Sequence, residues 1–218
     1  IIENSTTSAL TVSAPVTTTG SKTFRNSSGG SLLTISGAVT GTGTVVLDND
    51  STLANGVTVS AGGINNSNTV TNSGSGTGSA LISAPVGANV TEIIENSTTS
   101  ALLVSGAVTV GAANKIFRNS NAGGSSLLTI TGGVTGTGNV ALDNDSAIAN
   151  GITVSGTSVD HIGTITNLGS GAGSSLISAA VGSNVTGITE NSSTSALNVT
   201  GALAVSGSGT TLTNNNTA

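Results

Sequence analysis

The sequence is poor in the residues around which most globular cores are built. Cysteine, methionine, tryptophan and tyrosine are absent, and aromatic residues account for 1% of the 218 positions. A core organised around large aromatic side chains is therefore excluded. There is no run of about eighteen apolar residues, which excludes a membrane-spanning helix. Without cysteine, the redox compartment of the chain is undetermined.

Charge is also scarce. Charged residues make up 6% of the chain, and four lysines and arginines face nine acids, for a net charge of −5. Nucleic acid is not expected as a partner, because its phosphates require clustered basic residues. The chain does not begin with methionine and shows no signal peptide, so we expect a mature segment or a fragment.

Small residues dominate instead: glycine, serine, threonine, asparagine, alanine and valine. Such a composition alone is typical of disorder, but the mean hydropathy is mildly positive and the charge is low. Valine, leucine and isoleucine also recur in alternation with polar residues. Alternation with period two predicts β-strands.

A long repeat divides the chain. The stretch "IIENSTTSAL" at 1–10 returns at 93–102 and, as "ITENSSTSAL", at 188–197. We therefore expect one continuous domain, 1–218, made of a module 1–92, a module 93–187 and a partial module 188–218.

A finer repeat lies within each module. An apolar anchor residue recurs every 22 to 26 residues and is always followed by Ser or Thr and then by Ala or Gly. The anchors are Val12, Ile35, Val59, Ile82, Val104, Ile130, Val154, Ile177 and Val199. Short strands, small turn residues and no helical period predict an all-β fold, a single parallel β-helix (β-solenoid) with about 23 to 24 residues per turn and about nine turns. The general preference of parallel crossovers makes it right-handed.

Asparagine marks a second column, once per turn. Its members are Asn4, Asn26, Asn49, Asn72, Asn96, Asn119, Asn144, Asn167, Asn191 and Asn214. The residue two positions earlier is mostly apolar, so the alternation of a strand places the asparagine inward beside it. We expect an inward ladder in which the amides bond to the turns above and below.

The residue before each asparagine is then expected to face outward. The charged members of this outward column are Glu3, Arg25, Asp48, Glu95, Arg118, Asp143 and Glu190. Neighbouring turns are about 4.8 Å apart, so each arginine is predicted to lie between two acids. Lys115 is expected to meet Glu92, one turn earlier. The alternative is a face of separately solvated charges, which contribute little.

The sequence offers few candidates for chemistry. Asp48 and Asp50, and again Asp143 and Asp145, have the Asp-x-Asp pattern of a calcium loop, but the other ligands of such loops are missing. His161 is the one histidine and has no companion ligands in sequence. A glycosidase would need acids on adjacent turns. In the outward column, a turn with Arg or Thr always separates the turns that carry acids, which argues against a glycosidase. We expect no enzyme activity, no metal and no cofactor.

Asparagine could also carry glycans. Asn-x-Ser/Thr triplets occur eleven times, and six of them belong to the column expected to face inward. The better candidates for glycosylation lie outside that column: Asn65, Asn89, Asn184 and Asn198.

The phrases "GTGTVVLDND" and "SGAVTGTG", together with the solenoid period, resemble secreted bacterial β-strand-repeat proteins. These are similar to the passenger regions of autotransporter and haemagglutinin-like adhesins. The resemblance covers the whole chain. It implies a parallel β-helix exported to the bacterial cell surface or beyond, serving as a stalk, an adhesin or a matrix fibre.

The expected function is a structural extracellular fibre or stalk segment of a repetitive secreted or surface protein, which either assembles end to end with other copies or forms part of a longer chain. Lateral bundling is a further hypothesis, because Leu81, Leu103 and Leu176 are outward positions that recur along one face. An adhesin module for polysaccharide or a host surface is the alternative. Ice binding is a weaker one, because the same leucines interrupt the outward threonine column that it requires.

Overall fold

Alternating apolar and small polar residues form short parallel strands throughout the chain. The structure is a computed structural model that describes residues 1–216; it contains 24 β-strands and no helix in that range. All strand pairs are parallel, and each coil lies on the one before it. The predicted β-solenoid of about nine turns is confirmed. Among the described residues no helix is long and apolar enough to cross a membrane.

One side of the solenoid is a ten-stranded parallel sheet. In order, its strands are β1 (Ile2–Glu3), β4 (Lys22–Asn26), β7 (Val45–Asn49), β10 (Val70–Asn72), β12 (Glu92–Glu95), β15 (Lys115–Asn119), β18 (Val140–Asn144), β20 (Gly163–Asn167), β22 (Val185–Glu190) and β24 (Thr211–Asn214). The predicted Asn column lies on or beside these strands.

A second side is a nine-stranded parallel sheet that carries the anchor residues. Its strands are β2 (Leu10–Val12), β5 (Leu33–Ile35), β8 (Val57–Val59), β11 (Ala80–Ile82), β13 (Leu102–Val104), β16 (Leu128–Ile130), β19 (Ile152–Val154), β21 (Ser175–Ile177) and β23 (Leu197–Val199). Each anchor pairs with the next in the predicted register.

The third side also has nine levels, where the chain bends after each anchor. It consists of β3 (Val16–Thr18), β6 (Val39–Gly41), β9 (Ile64–Asn66), β14 (Val108–Val110), β17 (Val134–Gly136) and single bridges at Val86, Val159, Val181 and Leu203. The three sides enclose one apolar core of valine, isoleucine and leucine with two phenylalanines, Phe24 and Phe117.

The ten-stranded sheet changes register by two residues at two places. Asn26 pairs with Asn49, but Asn72 pairs with Leu47 rather than with Asn49. The same shift places Asn167 beside Leu142. A shift of two residues keeps every side chain on its own face of the sheet. The inward polar positions therefore form three offset blocks instead of one straight column.

Candidate functional site

Six of the ten column asparagines are fully buried. They are Asn26, Asn49, Asn72, Asn119, Asn144 and Asn167. In each, the side-chain Nδ2 donates to a backbone carbonyl of the next coil, at the corner that leads into the nine-stranded sheet. The asparagines thus link consecutive coils mainly through the backbone of the next coil.

Asn26 shows the full pattern. Its Nδ2 donates to the carbonyl of Ser31 in its own corner (2.7 Å) and to that of Gly56 in the next coil (2.8 Å). Its Oδ1 accepts from the backbone N–H of Ser28 (3.0 Å). One buried amide therefore satisfies two backbone groups of its own corner and adds a second hydrogen bond to the Gly56 carbonyl, which also accepts from the backbone N–H of Leu33.

The predicted register is wrong by one residue in the three coils that open a module. Asn4, Asn96 and Asn191 are exposed, and Glu3, Glu95 and Glu190 occupy the inward positions beside Asn26, Asn119 and Asn167. A slip of one residue moves every side chain of a strand to the opposite face. Asn214 keeps the inward register beside Glu190 but is exposed, because it lies in the last coil.

Two of the inward glutamates, Glu95 and Glu190, each accept a hydrogen bond from an asparagine of the preceding coil. Glu95 Oε2 accepts from Asn72 Nδ2 (2.9 Å), and its Oε1 accepts from the backbone N–H of Ser97 (2.6 Å). Burial raises the pKa of Glu95 to about 8, although these hydrogen bonds oppose the rise. Glu190 repeats the arrangement, with both carboxylate oxygens close to Asn167 Nδ2 (3.0 and 3.1 Å).

The outward charges form two clusters rather than one column. In the first, Arg25 contacts Asp50 Oδ2 (Nη2, 2.5 Å; Nε, 2.7 Å) and lies 3.6 Å from Asp48. The second cluster surrounds Arg118. Glu3, Glu95 and Glu190 belong to neither cluster, which corrects the predicted column. The cause is the same one-residue slip that turns these glutamates inward.

Arg118 contacts three acids. Its Nη2 lies 2.6 Å from Asp145, its Nε 3.6 Å from Asp143 and its Nη1 3.9 Å from Glu92. Burial and the neighbouring Asp145 raise the pKa of Asp143. Burial would also raise the pKa of Asp145, but hydrogen bonds from Ser170 and Arg118 hold it below its ordinary value.

The four candidate calcium ligands are therefore occupied by protein groups. Asp50 and Asp145 place one oxygen on an arginine and the other on a serine one coil away, while Asp48 and Asp143 face the same arginines. In residues 1–216, no three His, Asp or Glu side chains are grouped as metal ligands.

The sequence predicts a contact between Lys115 and Glu92, but Lys115 binds other groups in the structure. Its side chain is fully buried, and its Nζ donates to the carbonyls of Gly87 (3.2 Å) and Val90. Burial lowers the pKa of Lys115 to about 8. His161 is also buried, 3.3 Å from the carbonyl of Thr164, and burial lowers its pKa.

The four proposed glycosylation positions, Asn65, Asn89, Asn184 and Asn198, are all exposed. Because of the one-residue slip, three further asparagines of Asn-x-Ser/Thr triplets are exposed: Asn4, Asn96 and Asn191. The other three column asparagines that begin such a triplet are buried: Asn26, Asn49 and Asn144. Whether any of them carries a glycan stays a prediction. The leucines proposed for lateral bundling, Leu81, Leu103 and Leu176, are half-buried.

The two ends of the solenoid expose residues of the kind that the interior buries. In the last coil Leu212 is 63% exposed, whereas Ile188 and Ile165, which hold the same register position in the two preceding coils, are 6% and 0% exposed. In the first coil Ile1, which lies two residues before the inward Glu3 and so on the same face, is 42% exposed. An open groove of about 250 Å³ at the last coil is lined by Ile188, Glu190, Leu197, Val199, Leu212, Thr213 and Asn214.

No protein-family model, curated protein or solved structure matches this chain. Its own geometry offers three candidate sites: the linked inward column, the two charged clusters and the open ends. Most polar groups of the column and of the clusters form hydrogen bonds or ion pairs with other parts of the same chain. The ends alone combine unpaired strand edges with exposed apolar residues.

Proposed function

We propose that this chain is a structural segment of an extracellular fibre or stalk, joined to other coils through its open ends. The observation that carries the proposal is the exposure of inward-facing apolar residues at both ends, with Ile1 42% and Leu212 63% exposed. An unpaired parallel edge is a template for another strand.

The strands of the last coil lack the features with which soluble proteins protect such edges. Repeat proteins normally close their cores with a polar terminal unit, and sheet edges are blunted by lysine, proline or a covering helix. At the last coil, β23 and β24 contain no charged residue and no proline. Val199, Val205 and Leu212 are exposed to solvent there.

The contacts inside the solenoid favour a structural role over a catalytic one. Buried asparagines link each coil to the next, and the arginines are held by acids from neighbouring coils. A site with this much internal pairing leaves few groups free for a substrate. The extracellular and bacterial setting rests on the resemblance of the sequence to exported repeat proteins.

The test is the assembly state of the 218-residue chain at micromolar concentrations. A single solenoid of about nine turns is a rod about 43 Å long. Light scattering should show mass that grows with concentration, and electron microscopy should show rods several times that length with the width of one solenoid. A monomer that persists up to hundreds of micromolar would overturn the proposal.

A further inference from the structure

The charged side chains are concentrated on one side of the solenoid. Of the thirteen charged residues, ten lie in strands of the ten-stranded sheet: Glu3, Lys22, Arg25, Asp48, Glu92, Glu95, Lys115, Arg118, Asp143 and Glu190. Asp50 and Asp145 directly follow two of these strands, and Asp160 lies on the third side. Among the described residues, the strands of the nine-stranded sheet contain no charged residue.

The outer face of the nine-stranded sheet is also regular. In its seven strands from β5 to β21, the middle residue faces outward, because both of its neighbours in the strand are buried. In order, these outward residues are Thr34, Thr58, Leu81, Leu103, Thr129, Thr153 and Leu176. Each pairs with the next without a change of register, so they form one straight column with a spacing of about 4.8 Å.

We infer that two copies of this chain pair side by side through the outer faces of their nine-stranded sheets, with the two solenoids antiparallel. The two-fold axis runs along the strands, between β13 and β16. The net charge of −5 makes copies repel one another, and this arrangement turns the charged side of each copy away from the other. The contact does not use the ends of the solenoid and is independent of the end-to-end assembly proposed above.

The order of leucine and threonine along the column is self-complementary in this arrangement. Each leucine faces a threonine of the second copy: Leu103 faces Thr129, Leu81 faces Thr153 and Leu176 faces Thr58. A large side chain then always lies opposite a smaller one, so the two sheets keep one separation of about 10 Å along the contact. Because both copies use the same face, the pair is closed.

The neighbouring registers lack this match. An axis on β13 places Leu103 opposite Leu103 of the second copy, and an axis on β16 places Leu81 opposite Leu176. Two parallel solenoids related by a two-fold axis along their length place every leucine opposite its own copy. In each case opposed leucines hold the sheets apart, and the threonines beside them are left with voids.

The contact is small. Three strand residues are about 10 Å wide and nine strands extend about 40 Å, so the contact covers about 400 Å² on each copy. A total of about 800 Å² is typical of weak, transient interfaces. Single solenoids should therefore prevail at micromolar concentrations, and pairs at hundreds of micromolar.

Small-angle X-ray scattering over this range of concentrations tests the pairing through the radius of gyration of the cross-section. Side-by-side pairing should raise it about 1.7-fold, as for two equal cylinders in contact at the spacing of packed sheets. End-to-end assembly lengthens the solenoid and leaves its cross-section unchanged. Leu103→Lys should abolish the increase. Ile94→Lys is the matched control, because Ile94 is half-buried on the outer face of the ten-stranded sheet in the same coil.

Single cysteines distinguish the antiparallel pair from a parallel one, because the natural chain has no cysteine. Thr131 and Ser60 are both half-buried and hold the same position, directly after the strands β16 and β8. In the antiparallel pair, Thr131 and its copy differ in height by one coil, about 4.8 Å, whereas Ser60 and its copy differ by five coils, about 24 Å. In a parallel pair the two positions are equivalent.

The cross-linking experiment treats Thr131→Cys and Ser60→Cys, each at several hundred micromolar, with a bismaleimide that spans about 10 Å, the separation of the two sheets. Thr131→Cys should give a strong dimer band on a denaturing gel, and Ser60→Cys should lose it. Equal bands from the two variants would overturn the antiparallel register. A cross-section that does not change with concentration would overturn the pairing. Binding of single solenoids to insoluble cellulose or chitin that Leu103→Lys removes would assign the face to a polysaccharide and also overturn it.

Discussion

Replacing the buried Asn119 with alanine should weaken the solenoid far more than replacing the exposed Asn96, although both belong to the asparagine column seen in the sequence. Asn119 Nδ2 donates to the carbonyls of Ser126 (3.0 Å) and Gly151 (2.8 Å). Its Oδ1 accepts from the backbone N–H of Asn121 (3.1 Å). Alanine removes all three bonds from a site that water does not reach.

The expected cost follows from the groups left behind. Each buried backbone group that loses its partner costs about 1 to 3 kcal/mol. Two are affected, the Ser126 carbonyl and the Asn121 N–H, because the Gly151 carbonyl still accepts from the backbone N–H of Leu128. Part of this is recovered if the corner relaxes, so we expect a loss of about 2 to 4 kcal/mol in the free energy of unfolding. For a chain of this size each kcal/mol corresponds to about 2 to 4 °C, so the melting temperature should fall by about 10 °C.

Asn96→Ala is the matched control. Asn96 is exposed, and its one side-chain contact is an accepted bond from Ser120 Oγ (2.9 Å). Its loss should change the free energy of unfolding by less than about 0.5 kcal/mol. Urea denaturation of both variants measures the difference, and hydrogen exchange should place the loosening in the coils around Asn119. Equal destabilisation by the two substitutions would refute the reasoning.

The architecture could be predicted from sequence because the anchors are unambiguous. Each is an apolar β-branched residue followed by a polar Ser or Thr and then by Ala or Gly, where the chain must bend. Period two then leaves one face for the core, and strand pairing across coils fixes the register. Those nine strands pair as the anchor spacing predicts, including the terminal ones.

The register of the module openings could not be chosen in the same way. In "IIEN" either of the two adjacent isoleucines could face the core. Because glutamate is rarely buried, the pattern favours asparagine at the inward position. The third copy carries the signal that resolves this, since it reads "ITEN". There Ile188 is buried and Thr189 is not, which places Glu190 inward.

The charge contacts were missed for a different reason. The sequence pattern indicates partners only within one column of outward residues, but an arginine side chain is long enough to reach beyond its column. Arg25 therefore prefers Asp50, which lies past the end of the neighbouring strand, over Asp48, its direct partner. Lys115 likewise reaches backbone carbonyls at a corner, a contact that no side-chain pattern indicates.

Three further predictions test separate parts of the structure. Gly106→Ala should cost about 1 to 3 kcal/mol, because the added Cβ meets a backbone carbonyl of the preceding coil, whereas Gly123→Ala, with open space around it, should be nearly neutral in the same thermal melt. Arg118→Ala, at a half-buried cluster, should cost about 1 kcal/mol at low salt and less at 1 M salt; a loss that salt does not reduce would contradict the ion-pair interpretation. The inward glutamate makes stability depend on pH. Glu95 titrates near pH 8 in the folded chain but near 4.5 when unfolded, so between these values the folded state binds more protons than the unfolded state. Its contribution to stability is therefore complete below about pH 4.5 and is lost as the pH rises to about 8, by at most about 1.4 kcal/mol per pH unit. Glu95→Gln keeps the size of the side chain and removes the titration, so the difference in melting temperature between variant and parent should grow in the variant's favour from pH 5 to pH 8. Other titrating groups such as His161 affect both proteins alike and cancel in that difference. Parallel melting curves across this range would show that Glu95 is not the group responsible.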